Sequence, residues 1–117
     1  MVRKLNKFRR RHGLGPLRYS ADLSRSATRY ASFLIRTDRF GHASRIWTSK
    51  RFSSAGETLA YQPGWRVRRS QAIRMWLRSP GHRPLLLTRS FRYVGAGRSK
   101  GRFGSRRATI WVLHFGR

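Results

Sequence analysis

Leu5, Phe8, Arg9 and His12 fall on one stripe at helical spacing, and Gly13 follows as a stop, so residues 2–12 read as a short basic helix. Gly13-Leu14-Gly15-Pro16 then reads as a turn. Ser20 can cap a second helix, with Asp22 in its first turn and Leu23, Ala27, Tyr30, Ala31 and Leu34 on one buried face. From Phe40 to Gly64 the pattern turns irregular and rich in Ser, Gly and Thr, which predicts a long structured loop. Ser70 is the expected cap of a third helix that turns Ile73, Trp76 and Leu77 inward and ends at Ser79-Pro80-Gly81, because proline disfavours a helical residue before it. A short helical turn over 83–87 follows. Phe91–Arg98 and Ala108–Phe115 alternate or run apolar with strand-forming residues, and the basic stretch 99–107 between them reads as the loop of an antiparallel hairpin. Helices ahead of a small sheet, with no internal repeat and no break in composition, predict a single domain over 1–117 of mixed α+β architecture in layers.

Charge changes this picture most. The 117 residues carry 28 Lys plus Arg against 3 Asp plus Glu, a formal charge of +25, and only Lys4, Lys7, Lys50 and Lys100 are lysines. The charge is therefore almost wholly guanidinium and does not titrate at ordinary pH. It predicts solubility, stabilisation by anions and adhesion to polyanions without specificity. A hydrophobic content of 38% supplies a core and argues against disorder of the whole chain. The absence of cysteine excludes disulfides, thiolate metal clusters and thiol nucleophiles. No apolar run approaches the ~18 residues of a membrane-spanning helix. The basic start, Met1-Val2-Arg3-Lys4-Leu5, leads into no apolar stretch, so the chain reads as cytosolic or as beginning after a removed leader.

Few residues remain for chemistry. Asp22 suits a helix start and Asp38, among arginines, suits a surface ion pair. Glu57 lies between glycine-containing segments, where it either anchors an arginine or a loop amide or serves a site. No histidine pair has the i, i+4 spacing of a helical metal site. His12 reads as a helix-surface residue and His114, inside the last strand, as a packing residue, whereas His42 and His82 each follow a glycine in a loop, where reactive groups are commonly held. Gly97-Arg98-Ser99-Lys100-Gly101 has the letters of a nucleophile elbow but lacks the strand, turn and helix that motif needs, so it reads as part of the hairpin loop.

In order along the chain stand Leu5-Asn6-Lys7-Phe8-Arg9, Gly13-Leu14-Gly15-Pro16-Leu17, Leu23-Ser24-Arg25-Ser26-Ala27, Phe40-Gly41-His42 and Gly56-Glu57-Thr58-Leu59-Ala60. They are followed by Trp76-Leu77-Arg78-Ser79-Pro80-Gly81-His82-Arg83, Phe91-Arg92-Tyr93-Val94-Gly95-Ala96-Gly97 and Trp111-Val112-Leu113-His114-Phe115-Gly116. This succession, covering nearly the whole chain, resembles a small bacterial member of the CAP superfamily, the cysteine-rich secretory, antigen five and pathogenesis-related domain, also called the SCP domain. The resemblance implies a three-layer α-β-α sandwich with a small central antiparallel sheet, and a cleft lined by two histidines and two glutamates. His42, Glu57 and His82 match three of those positions, Ser79 stands at the place of the second glutamate, and Thr58 stands where the family usually has asparagine. Some relatives bind zinc or magnesium through the paired histidines and others bind sterols or fatty acids, and no enzymatic activity is general to the fold.

The reading that follows is a secreted or cell-envelope binding module. His42, Glu57, His82 and Ser79 would line a cleft for a small ligand, and His42 and His82 would hold a divalent cation, zinc or magnesium, weakly, because a +25 protein repels dications. The arginine surface would meet anionic envelope polymers or acidic lipids. The alternatives are a metal-assisted hydrolase with Glu57 as general base and non-specific nucleic-acid binding, which is expected in vitro whatever the role.

Overall fold

The computed structural model describes residues 1–48 and 52–117. Its elements run α1 (Val2–Arg11), β1 (Arg18–Tyr19), α2 (Ala21–Thr37), β2 (Ala55–Pro63), α3 (Arg69–Arg78), α4 (Arg83–Leu86), β3 (Tyr93–Phe103) and β4 (Arg106–Gly116). The strands form one sheet in the order β1-β3-β4-β2. β4 lies antiparallel to both β2 and β3, while the two-residue β1, which carries no sequence signal of its own, adds in parallel at the β3 edge. Helices cover both faces, giving the expected α-β-α sandwich.

Alternation along β4 sorts the two cores. Ile110 and Val112 face α2, where they meet Ala27, Ala31 and Leu34 together with Leu59 of β2. Trp111, Leu113 and Phe115 face the other way, onto Leu5 of α1, Ala72, Ile73 and Trp76 of α3 and Leu86 of α4. β4 is buried on both faces, which is why its sequence runs apolar instead of alternating.

Three sequence expectations need correction. The stretch 40–64 is not loop throughout, because Ala55–Pro63 is the edge strand β2. Its central residues are buried on both faces, so alternation, the usual strand signal, is missing. The polar groups that disguised it are used inside: Gln62 accepts from Trp111 Nε1 at 2.8 Å and donates to the Arg68 carbonyl at 2.9 Å, and Trp76 Nε1 donates to the Leu59 carbonyl at 2.7 Å. That last bond satisfies an edge-strand acceptor that no further strand pairs. Residues 49–51 of the expected loop lie outside the described residues. The basic stretch 99–107 is likewise mostly strand, with Gly104 and Ser105 alone forming the hairpin turn and Gly104 at φ +65°. Ser70 lies inside α3, whose N-cap is Arg68. Ser20 does cap α2, its hydroxyl accepting from the Leu23 N–H at 3.2 Å.

Asp38, read as a surface ion pair, instead ends α2 in the left-handed conformation, and its carboxylate accepts the Gly104 N–H of the hairpin turn. On the opposite face the buried Arg9 ties α1 to the loops, donating to the carbonyls of Gly15 at 3.0 Å, Leu86 at 2.9 Å and Thr88 at 3.1 Å.

The seating of α2 depends on Gly95 and Gly97, which share the face of β3 under that helix. A Cβ at Gly95 would fall on the backbone of Leu23 and Ser24, and one at Gly97 on the backbone of Ala27 and Thr28, in each case closer than 3.0 Å. Helix and strand backbones meet without intervening side chains, and Ser24 Oγ donates to the Ala96 carbonyl at 2.7 Å across the contact. A Gly97→Ala substitution is therefore expected to destabilise the fold by about 3 kcal/mol. Chemical denaturation checks this, with Gly15→Ala, where an added Cβ meets nothing within 4 Å and the backbone is not left-handed, as the comparison that isolates the effect of crowding; equal losses in the two variants would contradict it.

Candidate functional site

Glu57 begins the site because of register. It pairs with His114 across β2 and β4, so both side chains project from the same face of the sheet, toward α2. His114 is buried and Glu57 nearly so, and Oε2 of Glu57 lies 2.6 Å from Nε2 of His114. The other oxygen, Oε1, accepts the Ala43 N–H at 2.9 Å and stands 3.0 Å from Nδ1 of His42. A carboxylate only accepts, so the imidazole nitrogens facing it are the protonated ones, Nε2 of His114 and Nδ1 of His42. The second nitrogen of His114, Nδ1, reaches Ser26 Oγ on α2 at 2.7 Å, which closes a chain from helix through strand to loop. Ser26 Oγ also lies 2.9 Å from the Leu23 carbonyl.

His82 arrives from the other helical layer as the residue preceding α4. Its Nδ1 stands 3.0 Å from Ser79 Oγ, and its ring centroid is 6.0 Å from that of His42. The structure thus brings His42 to Glu57 and His82 near His42, while Ser79 touches His82 and takes no part in the Glu57 network. His12 lies elsewhere, folded back on Phe8 with ring centroids 4.4 Å apart. His114, read as packing, is the residue that sequence reasoning missed. The apolar alternation of Trp111, Leu113 and Phe115 does show that His114 faces the opposite side, but its partner became visible only with the β2 register. Thr58 points away from the site into the second core, and its Oγ1 has no hydrogen-bond partner among the described residues.

Zinc or magnesium, implied by the resemblance, finds a poor fit in this donor set. Glu57 Oε1 and Nδ1 of His42 are already committed to one another and Oε2 to His114, and among the described residues no three His, Cys, Asp or Glu side chains are placed to hold an ion. Two imidazoles fall short of the three protein ligands of an open zinc site.

Beside this network lies a groove between α2 and the segment 43–48, with a cavity volume of about 560 Å³. Ser26 and His114 form part of its wall, together with Arg29 and Arg45 and the aromatic rings of Tyr30, Phe33 and Trp47. Arg29 of α2 donates to the Trp47 carbonyl at 3.2 Å, which ties the segment to the helix, and within the segment the Arg45 guanidinium lies 4.4 Å from the Trp47 ring centroid.

With fold and site described, the family follows. The model of the cysteine-rich secretory protein (CAP) family matches residues 2–115, and the chain belongs to that family. Its fold is similar to an outer surface protein of Borrelia burgdorferi, with a TM-score of 0.81 at 22% identity, covering 99% of this chain and 88% of that one. It is also similar to an extracellular SCP-domain protein of Bacillus anthracis str. Ames, with a TM-score of 0.80 at 24% identity, covering 99% of this chain and 38% of that one. By sequence it is 29% identical over 101 residues to an uncharacterized membrane protein of Bacillus subtilis (strain 168), covering 79% of this chain and 28% of that protein, so it spans less than a third of that relative's length. Among the described residues no helix is long and apolar enough to cross a membrane.

Burial alone would raise the Glu57 carboxyl, yet hydrogen bonds from His114, the Ala43 N–H and His42, with the attraction of His114, hold it below the ordinary value near 4.5. His82 is lowered from 6.5, first by burial and then by its neighbour His42. Both shifts act in the same direction. Below about pH 6.5 the unfolded His82 takes up a proton that the folded one resists, and below about 4.5 the unfolded Glu57 does the same, so stability is complete above these values and falls in two stages on acidification. Thermal melts across this range should show His82→Gln flattening the upper stage and Glu57→Gln the lower; an unchanged acid limb in Glu57→Gln would contradict the network.

Proposed function

We propose that this domain is an extracellular or envelope-associated binding module. Its groove between α2 and segment 43–48 takes a small organic anion with an apolar body. The observation that carries this reading is the composition of the groove lining: guanidinium groups of Arg29 and Arg45, rings of Tyr30, Phe33 and Trp47, and the polar Ser26–His114 pair held by Glu57. An anionic head meets the arginine forks, and the apolar body covers the rings. Glu57 acts through His114, fixing its orientation and tautomer at the groove wall. The extracellular setting is supported by the Bacillus anthracis and Borrelia burgdorferi structures, whose own descriptions place them outside the cell or on its surface. The remaining arginine surface would hold the domain, as a single unit over 1–117, against anionic envelope polymers.

The metal-assisted hydrolase has less support. Its general base would be Glu57, whose two oxygens are occupied by three donors, and its ion would rest on His42 and His82 alone. Nucleic-acid binding needs nothing beyond the +25 charge, and so says nothing of this site.

Decanoate is a suitable probe, with decanol as its uncharged counterpart. Calorimetric titration should show decanoate binding more tightly than decanol, and an Arg29→Ala, Arg45→Ala double variant should weaken decanoate by about tenfold or more, as expected for loss of charged hydrogen bonds. Equal affinities for the two probes, or an unaffected double variant, would overturn the reading.

A further inference from the structure

Seven large hydrophobic side chains stand exposed among the described residues, and three of them line one groove: Phe33 at 38% exposure, Phe40 at 49% and Trp47 at 64%. The same groove, which shares Phe33, Arg45 and Trp47 with the proposed ligand site, carries Arg39 as well, while Arg29 and Arg36 project from the exposed side of α2 next to it. Arg36 lies 5.8 Å from the Phe33 ring centroid and Arg45 lies 4.4 Å from that of Trp47. Acidic groups leave this face almost unopposed. Asp22 is buried with its carboxylate 3.1 Å from Arg25, Glu57 is turned into its histidine network, and Asp38 accepts the Gly104 N–H.

We propose that the face formed by Phe33, Phe40 and Trp47 with Arg29, Arg36, Arg39 and Arg45 docks on the surface of an anionic lipid bilayer. Trp47, with one wet and one apolar end, settles at the level of lipid headgroups, the apolar rings of Phe33 and Phe40 enter the acyl boundary beneath, and arginines beside them bind the phosphates. Each basic residue near such a surface adds to the attraction, and the two contributions reinforce each other only where rings and guanidinium groups share a face, as they do here. Charge alone does not single out this face, since arginine is spread over the whole molecule; the clustered exposed rings do. A single-stranded nucleic acid would also seek aromatic rings, but it needs their faces for stacking. One face of Phe33 and one of Trp47 are already covered by guanidinium groups, and Phe33 also stacks on Tyr30, so these faces are taken from a base. The inference goes beyond the ligand reading and does not require it: the two share Phe33, Trp47, Arg29 and Arg45, but the groove ligand is a soluble anion seated against Ser26 and His114, while docking adds Phe40, Arg36 and Arg39.

Vesicle cosedimentation of the full chain tests this, with vesicles of phosphatidylcholine alone and of phosphatidylcholine mixed with phosphatidylglycerol. Phe40→Ala, Trp47→Ala and their double variant are compared with Trp65→Ala, an exposed tryptophan that carries its own arginine, Arg107, at 4.6 Å. The expected result is binding to the mixed vesicles only, weakened about tenfold or more in the double variant at unchanged net charge and unchanged in Trp65→Ala. Circular dichroism confirms that the variants fold, and soluble polyphosphate supplies the polymer comparison. Full vesicle binding by the double variant, or an equal loss in Trp65→Ala, would overturn the proposal, as would polyphosphate binding that depends on Phe40 and Trp47 as strongly as vesicle binding does. Decanoate titration without vesicles separates the two readings: its failure with vesicle binding intact removes the ligand proposal alone, and the reverse outcome removes docking alone.

Discussion

One nearly buried carboxylate, that of Glu57, organises the functional end of this molecule. In a chain of +25 charge, Glu57 is the one acidic side chain turned into a histidine network, and its two oxygens take donors from His42, the Ala43 backbone and His114. Those donors come from the segment after α2 and from the central strand β4, and the chain continues through Ser26 into α2 itself. An unpaired charge at that depth would be costly, and the same low-dielectric surroundings that impose the cost strengthen each bond that offsets it. The carboxylate therefore fixes how segment 42–48, coming from α2, lies against the sheet, and with it the wall of the groove.

That network closes where α2 lies directly against the backbone of β3. Gly95 and Gly97 remove two side chains from β3, and the helix backbone fills the space. Gly95 also pairs with His114, so the gap lies directly beside the imidazole that Ser26 meets. Backbone contact of this kind tolerates little adjustment, since packed interiors respond to the addition of even one methyl group. The sheet, the helix and the groove are in this sense one packing problem, solved from one side by glycine and from the other by a carboxylate.

Much of this was legible in the residues. The helices announced themselves through stripes such as Leu23, Ala27, Ala31 and Leu34, and the Ser20 cap is where its chemistry places it. β2 was not legible, because burial of both its faces removes alternation and its polar residues, Thr58 and Gln62, are inside. Losing β2 also hid His114, whose role depends on standing opposite Glu57 in a register that no local pattern encodes. His42, Glu57 and His82 were picked out as rare groups in loops and by family resemblance, yet geometry divides them: two share hydrogen bonds, and the third stands one ring away with Ser79. Charge, the loudest signal in the sequence, proved the least local. It gained meaning only where exposed Phe33, Phe40 and Trp47 gather beside the arginines.

The account rests on Glu57 holding two imidazoles at once, and imidazole protonation states can be read directly. Long-range proton–nitrogen correlation NMR on nitrogen-15-labelled protein, at a pH where the rings are neutral, assigns the protonated nitrogen of each histidine. The predicted pattern is a proton on Nδ1 of His42 and on Nε2 of His114, with the His42 preference abolished in Glu57→Gln. A proton on Nε2 of His42 in the unsubstituted protein, or on Nδ1 of His114, would contradict it.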